Sequence, residues 1–201
     1  LFAILSLYLY ETYGIELSYM DLMSVRTPML DEDYEKVLEA KQWLSSISKK
    51  FIIYDKQLSA DGFYAEMKKI LKQHGSFVSS EDGNRMTYIQ NDSTLIINVV
   101  LDHLGLIHSV KGRDKKQEID LCSQYCVWFR ETCKVSFDVI MQENRNAGNI
   151  DRQKMNMSES TLDDVKDSGN PVNDANVIIA VYCPIKYQLK TYRDYRIVDN
   201  K

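Results

Sequence analysis

The sequence predicts a single α/β domain with three layers, in which helices cover both faces of a mainly parallel central sheet. Four short runs are rich in apolar and β-branched residues, and they span residues 51–55, 95–102, 135–141 and 176–182. Nearly continuous apolar runs of this length are typical of strands buried on both faces. Helical patterns separate the first three runs, and right-handed crossovers place strands connected in this way in one parallel sheet.

The composition is that of one globular domain in a reducing compartment. The chain has 201 residues, of which 44% are hydrophobic, and this is enough for one core. Its net charge of -4 gives no reason to expect nucleic-acid binding over the whole surface, so such contacts would come from local basic loops. Residues 1–10 are apolar but lack a basic start and a cleavage site, and no run is long enough to span a membrane. The four cysteines form no CxxC pair, which favours a cytoplasmic protein.

Helical signals dominate the first fifty residues. A helix is predicted from Leu1 to Tyr13, and Gly14 is suited to end it. Residues 18–24 predict a short second helix, and Thr27-Pro28 breaks the helical pattern because proline pushes the preceding residue out of the α region. Residues 31–47 then predict an amphipathic helix.

The next stretch predicts a helix followed by a hairpin. Residues 59–74 carry apolar side chains at helical spacing, and Gly75 follows them. Residues 76–93 are mostly polar, with Asp82-Gly83 between two short apolar runs, which is a hairpin signal. We interpret residues 76–93 as a surface hairpin inserted before the strand at 95–102.

The second half alternates loops with regular structure. Residues 110–117 predict a short basic loop, and residues 119–133 predict a helix. Residues 144–156 form a polar loop in this interpretation, and residues 186–201 form an exposed strand or hairpin that is aromatic and basic.

Asp102 is the first candidate for a functional residue. It ends the apolar run at 95–102, and ligands in parallel α/β sheets bind at the carboxyl ends of strands. A carboxylate at such an end is where nucleotide-hydrolysing folds hold Mg²⁺. The alternative is that Asp102 simply ends a core strand. His103 and His108 flank the same strand end, and we expect them to be ordinary paired or exposed histidines rather than metal ligands.

Four stretches resemble the hexameric replicative DNA helicases of the DnaB type, including phage members, whose motor domain is a RecA-like ATPase. They are VVLDHLGLI at 99–107, VIMQENRN at 139–146, DVKDSGNPVNDANVIIAVY at 164–182 and, more weakly, YGIELSYMDLMSVRTPMLDEDYEKV at 13–37. The third is the most specific. It follows a family pattern that runs Asp-Leu-Arg-x-Ser-Gly-x-Ile-x-x-Asp-Ala-Asp into a strand, and the matching residues are Asp164, Ser168, Gly169, Asp174 and Ala175.

The resemblance implies a P-loop NTPase fold, truncated at both ends, with residues 1–201 as a partial helicase ATPase domain. Asp102 would then hold Mg²⁺ through a water, and Gln142 would contact the γ-phosphate or the attacking water. ATP and Mg²⁺ would be the cofactors of the parent protein. The alternative for Gln142 is an ordinary polar group at a strand end.

The same resemblance implies contacts with single-stranded DNA and with other subunits. One DNA loop would contain Asn144, Arg145, Asn149, Arg152 and Lys154, and a second would contain Lys111, Arg113, Lys115 and Lys116. The segment near a subunit interface or channel would contain Lys166, Asp167, Ser168, Gly169 and Asp174. The partners would be single-stranded DNA, copies of the same chain in a hexameric ring, and a primase or helicase loader, with no membrane. The alternative is that the two basic loops are ordinary solvated surface and that Ser168-Gly169 only ends a helix before Pro171.

The sequence departs from the family at several points. Lys166 stands where the family usually has Arg, and Asn176 where it usually has Asp. The eight glycines include no G-x-x-x-x-G-K-[ST] phosphate loop, and the family's catalytic glutamate and arginine-finger regions have no match. We therefore expect residues 1–201 to be inactive by themselves. A non-catalytic RecA-like interaction module of a replication complex is the main alternative, and a RecA-type recombinase is another.

Overall fold

A computed structural model shows two compact units, residues 1–55 and residues 56–201. The residues that the structure describes are 2–23, 29–80, 83, 85–144, 159–165, 169–187 and 189–197.

The first unit consists of helices. Its elements are α1 (Phe2–Tyr13), α2 (Tyr19–Leu22) and α3 (Asp31–Ser48). Gly14 ends α1 with a φ of 69°, and its N–H donates to the Tyr10 carbonyl over 2.9 Å, so the predicted glycine stop is confirmed. The Tyr8 ring stacks on Trp43 with 4.1 Å between ring centroids, which joins α1 to α3. The predicted break at Thr27-Pro28 lies outside the described residues.

Residues 51–55 do not form the predicted strand. They have no regular structure, and Ile53 is 79% exposed. An apolar run becomes a strand only when a neighbouring backbone accepts and donates its hydrogen bonds. No strand among the described residues pairs with residues 51–55, so the prediction is wrong for this structure.

The second unit mixes helices with short strands. Its main elements are α4 (Ala60–His74), β1 (Gly75–Ser79), β2 (Met86–Gln90), β3 (Asn98–Leu101), α5 (Lys115–Cys133), β4 (Ser136–Val139), α6 (Asn170–Asp174), β5 (Thr191–Tyr192) and β6 (Tyr195–Arg196). Single 3₁₀ turns occur at Leu104–Leu106, Leu162–Asp164 and Pro184–Tyr187.

The start of α5 corrects the predicted basic loop at 110–117. Asp114 accepts from the Gln117 backbone N–H over 2.8 Å, and the Gln117 side chain accepts from the Asp114 N–H over 2.9 Å. This reciprocal pair is a capping box, and it begins the helix at Lys115. Lys115 and Lys116 therefore lie on the first turn of α5 rather than in a loop.

The core of the second unit lies between α4, α5 and the strands. Both helices bury apolar residues at helical spacing, among them Phe63, Met67, Leu71, Ile119, Cys122 and Phe129. The Phe63 and Phe129 rings meet edge to face, with 6.3 Å between their centroids. Burial of these side chains fixes α5 against α4.

The strands β3 and β4 pair in parallel, with Asn98 opposite Ser136 and Leu101 opposite Val139. The helix α5 connects them, as the sequence predicted for the runs at 95–102 and 135–141. The three sheets of the described residues have two strands each, so the fold is mixed α/β. The described residues do not form the predicted continuous central sheet with helices on both faces. The run at 176–182 is not a strand, and Ile179 and Val181 are 84% and 89% exposed, so that prediction is wrong for the same reason as at 51–55.

The predicted hairpin at 76–93 is present. Strands β1 and β2 pair antiparallel from Gly75↔Gln90 to Ser79↔Met86, and the Tyr88 hydroxyl donates to the Leu71 carbonyl over 2.8 Å. Tyr88 is buried, so one face of the hairpin belongs to the core. Its status as an insertion stays a prediction. The tail also contains a hairpin, β5–β6, as expected.

Gly75 is needed for a close approach. Its backbone is extended, so it is not a left-handed helix stop. A Cβ at this position would lie 2.5 Å from Cζ of Tyr88 and closer still to the Ile89 carbonyl oxygen. The first residue of β1 therefore leaves no room for a side chain beside β2.

We predict that Gly75→Ala lowers the free energy of unfolding by about 1–3 kcal/mol, because the added methyl would collide with Tyr88 and Ile89 and force β1 and β2 apart. Urea unfolding followed by circular dichroism measures this change. Gly169→Ala is the matched control, since no heavy atom lies within 4 Å of its Cβ position. Equal unfolding midpoints for the two variants would contradict the packing described at Gly75.

Candidate nucleotide and nucleic-acid site

The carboxyl ends of β3 and β4 meet at one edge of their sheet. Asp102 follows β3 directly, and Gln142 lies three residues beyond the end of β4. The parallel pairing continues past the strands, since the Ile140 N–H donates to the Leu101 carbonyl and the Leu104 N–H donates to the Ile140 carbonyl, each over 3.0 Å. Both candidate side chains, Asp102 and Gln142, are exposed at this edge.

The chemistry of this edge fits Mg²⁺ only in part. Magnesium keeps several waters and needs one or two carboxylates together with substrate phosphates, so an exposed Asp102 can serve as its protein ligand. Within the described ranges there is no group of three or more His, Cys, Asp or Glu side chains that could enclose a metal ion. The sequence also contains no G-x-x-x-x-G-K-[ST] phosphate loop.

The chain directly after Gln142 is held at the base of the predicted DNA loop. Glu143 pairs antiparallel with Val165, and the Asn144 N–H donates to the Asp164 carbonyl over 2.7 Å. The Asn144 side chain also donates to the Asp163 carbonyl over 3.3 Å. Asn144 is thus a structural contact at the start of the loop.

The returning side of the same loop is fixed by a buried carboxylate. Asp164 accepts from the N–H and from the hydroxyl of Thr161, each over 2.8 Å. Glu159 accepts from the Tyr192 hydroxyl over 2.7 Å and lies 3.5 Å from the Arg193 guanidinium. The hydrogen bond from Tyr192 holds the pKa of Glu159 below its ordinary value. The remaining loop candidates, which are Arg145, Asn149, Arg152 and Lys154, lie outside the described residues.

The second basic cluster divides into exposed and engaged side chains. Lys111 and Lys116 are exposed. Lys115 donates to the Ile107 carbonyl, and Arg113 forms ion pairs with Asp61 and Glu118. The structure therefore does not place these four predicted DNA-binding residues in equivalent surroundings.

Glu118 is a buried charge that sequence reasoning missed. Its side chain is fully buried, 2.8 Å from Nε of Arg113, and its second oxygen accepts from the Ala60 N–H over 2.8 Å. A glutamate in the first turn of a helix is ordinarily an exposed partner of the helix dipole, so the pattern gave no signal of burial. Asp61 accepts from the Tyr125 hydroxyl over 2.9 Å, and hydrogen bonds from Arg113 and then Tyr125 lower the pKa of Asp61.

Asp174 docks α6 onto α5. Its carboxylate accepts from the Ser123 hydroxyl over 2.6 Å, and its carbonyl accepts from the Arg130 guanidinium over 2.8 Å. Gly169 precedes α6 as its N-cap, so it stands at the beginning of a helix. The other residues of this predicted interface segment, Lys166, Asp167 and Ser168, lie outside the described residues. No sequence pattern identified Ser123 and Arg130.

Comparisons with known proteins identify the fold. No family model and no curated protein matches the sequence. Among solved structures, one that is described as an ATPase domain is similar with a TM-score of 0.61 and 17% sequence identity, over 85% of this chain and 52% of that one.

A second solved structure has a similar fold. It is described as a DnaB-like replicative helicase and its interactions with primase, and it is similar with a TM-score of 0.54 and 16% identity, over 78% of this chain and 32% of that one. By fold, the chain resembles a DnaB-like helicase ATPase domain. The expected resemblance to helicases of this type is confirmed at the level of the fold.

The similarity covers only part of each solved structure. The chain spans about half the length of the first structure and about a third of the second. None of the described helices is long and apolar enough to cross a membrane.

We predict that Ser123 and Asp174 stabilise the fold jointly. In a double-mutant cycle with Ser123→Ala and Asp174→Ala, the coupling free energy of unfolding should be roughly 1–2 kcal/mol. Either single change already breaks the half-buried hydrogen bond to the carboxylate, so the double variant loses no further energy from this bond. Urea unfolding of the four proteins measures it. The same cycle with Asp163→Ala, an exposed carboxylate, should show no coupling to Ser123. Additive effects of Ser123→Ala and Asp174→Ala would contradict the docking contact.

Proposed function

We propose that residues 1–201 form part of the motor domain of an ATP-dependent replicative DNA helicase. One observation carries the proposal: Asp102 and Gln142 share the carboxyl edge of a parallel strand pair in a chain with a helicase ATPase fold. In the proposed complete domain, β3 and β4 are neighbouring strands of a mainly parallel central sheet within a three-layer RecA-like fold. Ligand sites of such sheets lie at this edge.

In the proposed mechanism Asp102 holds Mg²⁺ through a water and Gln142 faces the γ-phosphate. ATP with Mg²⁺ supplies the phosphoryl group whose hydrolysis drives movement. The chain's own part is to place a carboxylate and an amide just beyond the carboxyl ends of two adjacent strands. Glu143 and Asn144 follow Gln142 immediately and are hydrogen-bonded to residues 163–165, so a shift of Gln142 reaches the base of the loop directly.

The proposed partners are single-stranded DNA and further copies of the chain. The basic side chains of the loop at 144–156, together with Lys111 and Lys116, would contact DNA phosphates in the channel of a hexameric ring. A primase or a helicase loader is a further proposed partner, supported by the description of the second similar structure. We propose that the protein acts in DNA replication in the cytoplasm.

The second candidate is a non-catalytic RecA-like module of a replication complex. It is favoured by one specific observation, since the 201 residues contain no G-x-x-x-x-G-K-[ST] sequence. For the same reason we propose that residues 1–201 do not hydrolyse ATP by themselves. A RecA-type recombinase is less favoured because the matches from Asp164 to Ala175 follow the helicase pattern.

We predict that Arg145→Ala and Arg152→Ala each weaken binding of single-stranded DNA. Each change removes a cation that displaces counterions from phosphates, so the slope of log K against log salt should become shallower by about 0.7. Fluorescence anisotropy of a labelled oligothymidylate over a salt series measures this slope.

The charge-matched control is Lys50→Ala, an exposed position in the first unit, which should leave the slope unchanged. Identical slopes for wild type, Arg145→Ala and Arg152→Ala would remove the proposed DNA role of the loop.

A further inference from the structure

The start of α4 and the start of α5 are joined through Arg113. Its guanidinium forms an ion pair with Asp61 on the first turn of α4 and lies 2.8 Å from Glu118 on the first turn of α5. Glu118 reaches back to α4, because its other oxygen accepts from the Ala60 N–H over 2.8 Å. One cation therefore serves two carboxylates and links two helix starts. Hereafter Arg113, Asp61 and Glu118 are called the Arg113 clamp.

The charge balance of the clamp disfavours a phosphate there. One positive charge faces two negative charges, so the clamp carries a net charge of about -1 at neutral pH. Glu118 is fully buried, and a buried carboxylate that loses its cationic partner keeps its desolvation penalty. A phosphate that drew Arg113 away would leave Glu118 unpaired and would itself lie near Asp61.

The clamp also holds the segment that carries the exposed lysines. The Arg113 N–H donates to the Val110 carbonyl over 3.1 Å and closes a turn around Lys111. The same segment is attached at its start, because the His108 N–H donates to the Leu58 carbonyl over 2.7 Å. Lys116 lies on the same first turn of α5 as Glu118, in the helix start that the clamp fixes, but it is exposed whereas Glu118 is buried. The backbone that carries Lys111 and Lys116 is thus held in place by these contacts.

We propose that Arg113 is a positioning residue and not a phosphate contact: it fixes the turn at 110–113 and the start of α5 so that Lys111 and Lys116 face DNA. This inference rests on the proposed function, since it concerns the second DNA segment of the same site. It assigns the phosphate contacts of the segment to the two exposed lysines. Glu118 is the buried anchor through which Arg113 acts.

The test is the salt dependence of binding to a labelled oligothymidylate by the 201-residue chain. Lys111→Gln, Lys116→Gln and Arg113→Gln each remove one positive charge. A lysine that contacts a phosphate contributes about 0.7 to the slope of log K against log salt, so each lysine variant should lower the slope by that amount. Arg113→Gln should weaken binding, because the turn at 110–113 and the start of α5 are no longer fixed. It should leave the slope at its wild-type value.

A second variant covers the risk that Arg113→Gln unfolds the chain with Glu118 left unpaired. The double variant Arg113→Gln/Glu118→Gln removes both charges and leaves two amides that can hydrogen-bond to each other. It should be folded by circular dichroism and should also retain the wild-type slope.

The outcomes separate this inference from the proposed function. A slope lowered by about 0.7 in Arg113→Gln or in the double variant, as in the lysine variants, would overturn the positioning role and leave the DNA role intact. Wild-type slope and affinity in both lysine variants would overturn the DNA role of the segment and this inference with it. The inference is supported if the slope falls only in the lysine variants while Arg113→Gln binds more weakly at the wild-type slope. Wild-type affinity together with wild-type slope in Arg113→Gln would overturn the positioning role.

Discussion

The parallel pairing of β3 with β4 is the constraint on which the candidate site depends. Parallel strands cannot be joined by a tight turn, so the chain must cross over, and α5 makes this crossover. The helix is held in place because Ile119 and Phe129 are fully buried in the core that it shares with α4. The carboxyl ends of both strands then face the same way, and Asp102 and Gln142 lie at the same edge of the strand pair although they are forty positions apart in the sequence.

Two buried carboxylates secure the segments around this edge. Glu118 joins the starts of α4 and α5 beneath the segment that carries Lys111, and Asp164 fixes the returning side of the loop that follows Gln142. Each accepts hydrogen bonds from backbone N–H groups, which offset part of the cost of burying a charge. In both cases a buried carboxylate fixes the backbone from which the proposed functional side chains extend.

The sequence predicted those features that depend on neighbours along the chain. Caps and helical spacing located α1, α3 and α4, and the Asp82-Gly83 signal located the hairpin. The runs at 51–55 and 176–182 failed because a strand requires a partner backbone, which a single run of residues cannot specify. The position of Asp102 and Gln142 just beyond the carboxyl ends of β3 and β4 follows from strand topology and agrees with the sequence, while their functional roles stay predictions. The pairs Arg113–Glu118 and Ser123–Asp174 were missed because they join residues that only the packing of helices brings together.

The central claim is tested most directly by nuclear Overhauser effects between backbone protons of β3 and β4 in the isotope-labelled chain. Parallel pairing in the observed register predicts cross-strand effects that link Asn98 with Ser136–Phe137 and Leu101 with Val139–Ile140. That pattern would place Asp102 and Gln142 at one edge in solution. Effects that link Leu101 with Ser136 would indicate antiparallel pairing, would place the two residues at opposite ends and would contradict the account.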